Sequence, residues 1–486
     1  MSENESKVFH QQSCQTRLVA AIAAMLIIGC VVICPYGNFV EDGVAPQFWM
    51  GIGLMSLGFI LTWQLRSIGG YWFWAIALAT RLILLPMHPG DDIWRYLWEG
   101  YIQTLGFSPF HLPPLAPELA PYRTEWWSLI NHPTVSAIYP PITQLGFRGL
   151  AAIAPSVLIF KLGFVSADVG LCWLLSRRFG YRKALVYAWN PLILYSFAGG
   201  GHYDSWFLLP LVAAWLIAES FQRSDSESSS LNVSSPHLQS WVAQRTSKAT
   251  VDGRMVWSAL LVGISIAVKW ISLPILGFLA WRSLTQWRWV QLSLIVIVGA
   301  LPMSIGALQF CSPDACPLIP TGSVFVSHGR SADLIPYLVS NIWEPSRWEN
   351  WLFVFPLGGF GLWLLWRSPT FLMFTEWYLA SLLVLSPIIH GWYFTWLVPF
   401  AVASRNWGTR LVSLSAFIYF VLPHRQSLGD TSWLLGDRER LLLWLPFLLG
   451  WAVSLNQHRH QYRSADSRRV FETLMKSVSN IVYRIK

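Results

Sequence analysis

Apolar runs of roughly 15–20 residues recur from one end of the chain to the other, and each has the length a helix needs to cross hydrocarbon. Their composition is continuous, without the alternation of a membrane barrel, so helices are predicted. Only 12% of the 486 residues are charged and 54% are hydrophobic, whereas a soluble domain carries about a quarter charged residues. A chain with so little polar surface has the bilayer as its solvent. The expected fold class is all-α: a polytopic transmembrane bundle of about 12–14 spans. The candidate spans are 18–35, 47–64, 71–87, 156–176, 184–199, 203–220, 255–269, 271–284, 289–306, 350–367, 371–388, 391–404, 409–423 and 439–456. Ile142–Ile153 is a further span or an interfacial helix. The first run reads as an uncleaved helix, although Leu26-Ile27-Ile28-Gly29-Cys30 has the look of a lipoprotein cleavage box.

Lysine and arginine gather on the side that retains positive charge, and about 23 of the 34 fall there when both termini are cytoplasmic. The net charge of +9 therefore belongs to cytoplasmic loops and a tail, and no nucleic-acid partner is expected. This divides the chain into an N-terminal transmembrane module (1–220), a Ser-rich cytoplasmic linker (221–253), a C-terminal transmembrane module (254–456) and a tail (457–486). The tail reads as a basic amphipathic helix lying on membrane lipids. Segments 88–141 and 307–349 become exoplasmic loops, and of the six cysteines only Cys311 and Cys316 lie in such a loop, where a disulfide is possible.

The stretch richest in chemistry is His88-Pro89-Gly90-Asp91-Asp92-Ile93-Trp94-Arg95-Tyr96-Leu97-Trp98-Glu99-Gly100. Pro89-Gly90 ends the third span, and a new helix starts at the acids. Asp91 and Asp92 lie four and three residues before Arg95, with Glu99 four beyond it, so all share one helix face. Such a cluster suits deprotonation of a hydroxyl, Arg95 holding one carboxylate ionised and oriented. The competing local roles are an N-cap for Asp91 and a surface pair for Arg95 and Glu99.

Asp91-Asp92-x-x-Arg95-Tyr96-x-Trp98-Glu99-Gly100, followed by Gly106-x-x-Pro109-Phe110, resembles the first-loop signature of bacterial polyprenyl-phosphate-mannose-dependent mannosyltransferases. These are GT-C membrane glycosyltransferases, distantly like the GPI mannosyltransferase catalytic subunit. Asn131-His132-Pro133 with Ile138-Tyr139-Pro140-Pro141, Asn190-Pro191 with Gly201-His202-Tyr203-Asp204, and Ser386-Pro387-x-x-His390-x-Trp392-Tyr393 resemble three later motifs. Glu99 stands where an Asp is expected, Tyr101 where a basic residue is common, and Ser108 and Phe110 replace an Asn-Tyr pair. These departures bear on sugar choice more than on fold.

The resemblance implies a plasma (inner) membrane enzyme moving a hexose, most simply mannose, from a polyprenyl-phosphate donor to a lipid or glycan acceptor, with inversion. Asp91 or Asp92 would be the general base. No nucleotide-binding glycine loop is present, as suits a lipid-linked donor, and no cofactor is expected. A cation would stabilise the leaving lipid phosphate, and Lys269 and Arg81 are the candidates. Charges beside apolar runs otherwise snorkel or form structural pairs, such as Lys161 with Asp168. Tyr139, His202, Asp204, His390, Trp392, Tyr393 and Glu99 complete the expected substrate-binding set, with the aromatic belt as the bland role for the rings. No metal site is expected, and His202, His390 and Asp92 are the residues from which one would be built. Two other classes stay open: an ion-coupled transporter using the paired carboxylates, and a surface-polysaccharide polymerase or ligase.

Overall fold

The computed structural model describes residues 3–37, 39, 45–228, 251–311, 316, 327–430 and 432–457. Most of the Ser-rich linker and nearly all of the basic tail lie outside them. Helices make up 76% of the structure, and no strand occurs among the described residues. The N-terminal half runs α1 (Glu3–Ile33), α2 (Ala45–Thr62), α3 (Gly70–Leu84), α4 (Asp92–Thr104), α5 (Pro141–Ile153), α6 (Val157–Phe179), α7 (Tyr181–Ala188) and α8 (Ser205–Ser228). Then come α9 (Gly253–Val268), α10 (Leu273–Thr285), α11 (Trp289–Leu308), α12 (Ile335–Ile342), α13 (Val354–Arg367), α14 (Phe371–Leu385), α15 (Val398–Ser404), α16 (Trp407–Ser415) and α17 (Val421–Ser427). A final helix, α18, covers 437–457.

Among the described residues, four helical stretches are long and apolar enough to cross a membrane: Gln15–Ile33, Ala45–Thr62, Val157–Phe179 and Trp289–Leu308. Four more, Gly70–Leu84, Ser205–Glu219, Gly253–Val268 and Phe371–Leu385, are apolar but shorter. Several candidate spans are broken. In 184–199, Asn190 stops α7 and its side chain accepts from the Leu192 and Ile193 amides, starting a short turn that widens into a π-helix over Leu194–Gly199. The runs 391–404 and 409–423 each change between 3-10 and α geometry, at Trp396 and at Ser415 and Phe420. Hydropathy registers the apolar composition and is blind to these breaks.

Helix contacts rest on small residues, as is usual where lipid supplies no hydrophobic drive between helices. α9 crosses α11 so closely that a Cβ on Gly263 would lie 2.2 Å from the Gly299 carbonyl oxygen. Gly29 of α1 meets the Gly51 oxygen of α2 in the same way, at 2.7 Å. Cys311 and Cys316 are joined by a disulfide.

Arg81 and Lys161, both buried, hold helices of the N-terminal half together, and both correct an expectation. Arg81 of α3 pairs with Asp168 of α6 through Nε–Oδ2 at 2.6 Å and Nη2–Oδ1 at 3.0 Å, and Nη1 donates to the Ala77 and Ala188 carbonyls. Tyr187 donates a further bond to the Asp168 carboxylate at 2.9 Å. Arg81 is thus a structural arginine with every arm engaged, in place of the phosphate ligand expected of it. Lys161 leaves Asp168 to Arg81 and donates to the Leu85 and Met87 carbonyls, at 3.1 and 2.5 Å, where α3 runs out. It thereby fixes the exit from α3 just before the acidic motif.

Candidate functional site

The acidic motif emerges where α3 stops, in a turn docked on a second turn between the Leu194–Gly199 π-helix and α8. Gly90 donates its amide to the Gly200 carbonyl at 2.8 Å. Gly201 has φ +74°, a left-handed conformation that glycine adopts without strain where the two turns meet. His202 follows directly and is 3% exposed.

Asp91 occupies the N-cap of α4, yet its carboxylate makes no capping bond. Both acids instead accept from the amide of Asn131, which donates to Asp91 Oδ2 at 3.2 Å and Asp92 Oδ1 at 2.9 Å. Asp92 Oδ2 has a long contact from the Tyr96 hydroxyl, 3.4 Å, and lies 3.8 Å from His202 Nδ1. Burial and the neighbouring Asp91 charge raise the Asp92 carboxyl to about 7, against the opposing pull of the Asn131 bond and the Lys269 charge.

Arg95 orients neither Asp91 nor Asp92. Its guanidinium donates to Glu99 Oε1 at 2.8 Å and to the carbonyls of Asn131, His132, Val135 and Ser136, at 3.4, 3.1, 2.5 and 2.8 Å. It grips the loop that carries Asn131, so its hold on the acids runs through that loop. Glu99 is 1% exposed and its second oxygen accepts from Gln144 at 2.6 Å, tying α4 to α5. It is therefore part of the scaffold, where substrate contact was expected. Tyr139 packs edge-on against Tyr96 and Tyr203, with centroids at 5.5 and 5.1 Å.

Lys269 ends α9 and pairs with Asp204 at 2.5 Å. Its ammonium is surrounded by four rings, those of Trp396, Tyr393, Tyr203 and Phe207, at 4.8–5.7 Å from the centroids. Trp396 Nε1 donates to the same Asp204 oxygen at 2.7 Å, while the other oxygen, Oδ2, is buried without a hydrogen-bond partner. The Asp92, Lys269 and Asp204 charges act on one another, so the acid pair and this ammonium share one electrostatic site.

Trp392 stacks with both histidines, His202 at 3.7 Å and 16° and His390 at 4.5 Å and 6°. His390 Nδ1 is 2.6 Å from the Tyr419 hydroxyl. Burial first, and then nearby positive charge, lowers both imidazoles, His390 to about 3, so both rings are neutral at ordinary pH. The rings present faces and edges to their neighbours, and no group of three His, Cys, Asp or Glu side chains is placed to hold a metal ion among the described residues. A cavity of about 280 Å³ is lined by Asp91, His202, Trp392, Tyr419, Gln426 and Trp433, among others.

The structure thus brings Asp91, Asp92, His202, Asp204, Lys269, His390, Trp392 and Tyr393 to one end of the bundle, with Tyr139 and Arg95 supporting them and Arg81 apart. Asn131 stands outside the site expected from the sequence, although Asn131-His132-Pro133 is one of the resembling stretches, because an amide has no charge to flag it. Trp396, Tyr419 and Trp433 stand outside it too, hidden among the belt residues of a chain with 30 tryptophans. Compared with known proteins, the chain matches no protein-family model, no curated protein and no solved structure.

Proposed function

We propose that the chain is a GT-C-like membrane glycosyltransferase of about 12–14 spans, with both termini cytoplasmic in the plasma (inner) membrane. It takes a hexose, most simply mannose, from a polyprenyl-phosphate donor and passes it with inversion to a lipid or glycan acceptor on the exoplasmic side. The observation that carries this reading is the Asp91–Asp92 pair at a helix end, bridged by Asn131 and spent on neither a cap nor a salt bridge with Arg95.

In this mechanism Asp92 is the general base. Its Oδ1 is held by Asn131, and Oδ2 takes the proton as the acceptor oxygen attacks the anomeric carbon. The bond from that carbon to the phosphate oxygen breaks on the opposite face, and the lipid phosphate leaves with the electron pair. Lys269 supplies the positive charge for that departing oxygen, and the unbonded Asp204 Oδ2 accepts from a sugar hydroxyl. Asp91 raises the proton affinity of Asp92 by its own charge.

The test uses purified protein in lipid with radiolabelled polyprenyl-phosphate mannose and a glycolipid extract. Asp92→Asn should cut transfer by roughly 10²–10⁴-fold while donor binding persists. Absence of transfer by wild type with mannose, glucose and arabinose donors would reject the enzyme.

A further inference from the structure

We infer that the cavity beside Asp91 is a sugar-binding subsite that takes the neutral glycan end of the acceptor, with Trp433 and Gln426 as its specificity residues. The inference rests on the glycosyltransferase reading for the word acceptor, and on the cavity itself for the word sugar.

The lining decides the chemistry. Asp91 contributes a carboxylate to the wall, and no lysine or arginine lines the cavity. A phosphate seated there would meet like charge with no cation to offset it, so the donor phosphate belongs on the Lys269 side. The remaining wall is aromatic, with Trp392, Tyr419 and Trp433. Flat rings match the C–H face of a pyranose, and tryptophan and tyrosine combine such a face with a polar edge. These walls are stiff: Trp392 is stacked on His202 and His390, and Tyr419 is bonded to His390.

Apart from Asp91, the polar lining is neutral. Gln426 and Ser427, at the end of α17, line the cavity, Gln426 being exposed. An amide offers two donors and an acceptor, which suits a pair of vicinal hydroxyls. A cavity with apolar faces, a few converging polar groups and no cation fits a ring of hydroxyls better than a lipid tail or an anion. Asp91 lines it, so a sugar seated in it lies beside the acid pair.

Binding can be read without catalysis. The full chain carrying Asp92→Asn, in lipid nanodiscs, is titrated with methyl α-mannopyranoside and methyl α-glucopyranoside by saturation-transfer NMR, with inorganic phosphate as competitor. Wild type and Asp92→Asn should both bind at least one glycoside, and phosphate should leave the signal unchanged. Adding Trp433→Ala or Gln426→Ala should weaken binding by about tenfold, and Gln426, being exposed, is replaced without unfolding the bundle. In turnover assays the same two substitutions should raise the acceptor KM and leave the donor KM alone.

No glycoside binding to wild type, binding indifferent to both substitutions, or displacement by phosphate would each overturn the subsite. Failure of the transferase reading looks different. Glycosides would then still bind through Trp433 and Gln426 while no lipid-linked sugar is transferred. Transfer with an acceptor KM insensitive to both substitutions would retain the enzyme and discard the subsite.

Discussion

Arg81–Asp168 and Lys269–Asp204 look alike in the sequence: each is a cation in or beside an apolar run with an acid far along the chain. Their surroundings divide them. Arg81 and Asp168 are 1% and 0% exposed, the guanidinium has carboxylate or carbonyl partners on Nε, Nη1 and Nη2, and Tyr187 adds a bond to the acid. Lys269 is 15% exposed, meets its acid through one oxygen, and leaves Asp204 Oδ2 buried and unbonded. A saturated pair has nothing left with which to recognise a ligand. An unsaturated one bears a desolvation cost that a ligand can relieve.

The sharpest way to break this contrast is to remove one partner of the closed pair. Arg81→Met leaves a buried carboxylate with only Tyr187, and should cost about 3–5 kcal/mol, seen as loss of folded protein in a thermal melt read by size exclusion. Arg81→Met with Asp168→Leu should recover most of that loss, because a well-packed apolar replacement of a buried pair is often neutral. Lys269→Met should instead reduce sugar transfer by roughly 10²–10³-fold with a smaller fall in melting temperature than Arg81→Met. Adding Asp204→Leu to it should restore no transfer. If the second double variant regains activity, or the first regains no stability, the distinction between closed and open pairs is wrong.

How far the sequence displays this organisation depends on the type of interaction. All-helical architecture follows from the apolar runs, because in lipid every backbone group must bond within its own helix. The α4 helix and the convergence of Asp91, Asp92, His202 and His390 were legible through motifs carrying charged or aromatic residues. Helix breaks at Asn190 and at Trp396 were not, since hydropathy averages over them. Arg95 illustrates a second blind spot. Its spacing to Asp91 and Asp92 is right for a pair, yet the carbonyls of residues 131–136 out-compete them in the folded chain. Side-chain bonds to backbone have no sequence signature, so both the role of Arg95 and the bridging amide of Asn131 needed the fold.

The smallest effect sharpens the contrast in a different way, because only the open site should titrate near neutrality. A base must be unprotonated to act, and burial together with Asp91 raises Asp92 to about 7, so transfer should climb as pH passes through that value and then level off. The two imidazoles add no second limb, since burial keeps them neutral across that range. Asp91→Asn removes a like charge, so Asp92 should release its proton more readily and the limb should move to lower pH. Asn131→Leu removes a donor that favours the carboxylate, and the limb should move to higher pH. The measurement is kcat/KM for the donor against pH in the three proteins. Opposite displacements would identify Asp92 as the group that titrates and Asn131 as its positioning residue. Limbs that stay fixed, or move together, would hand the titration to another group and leave Asn131 a merely structural bridge.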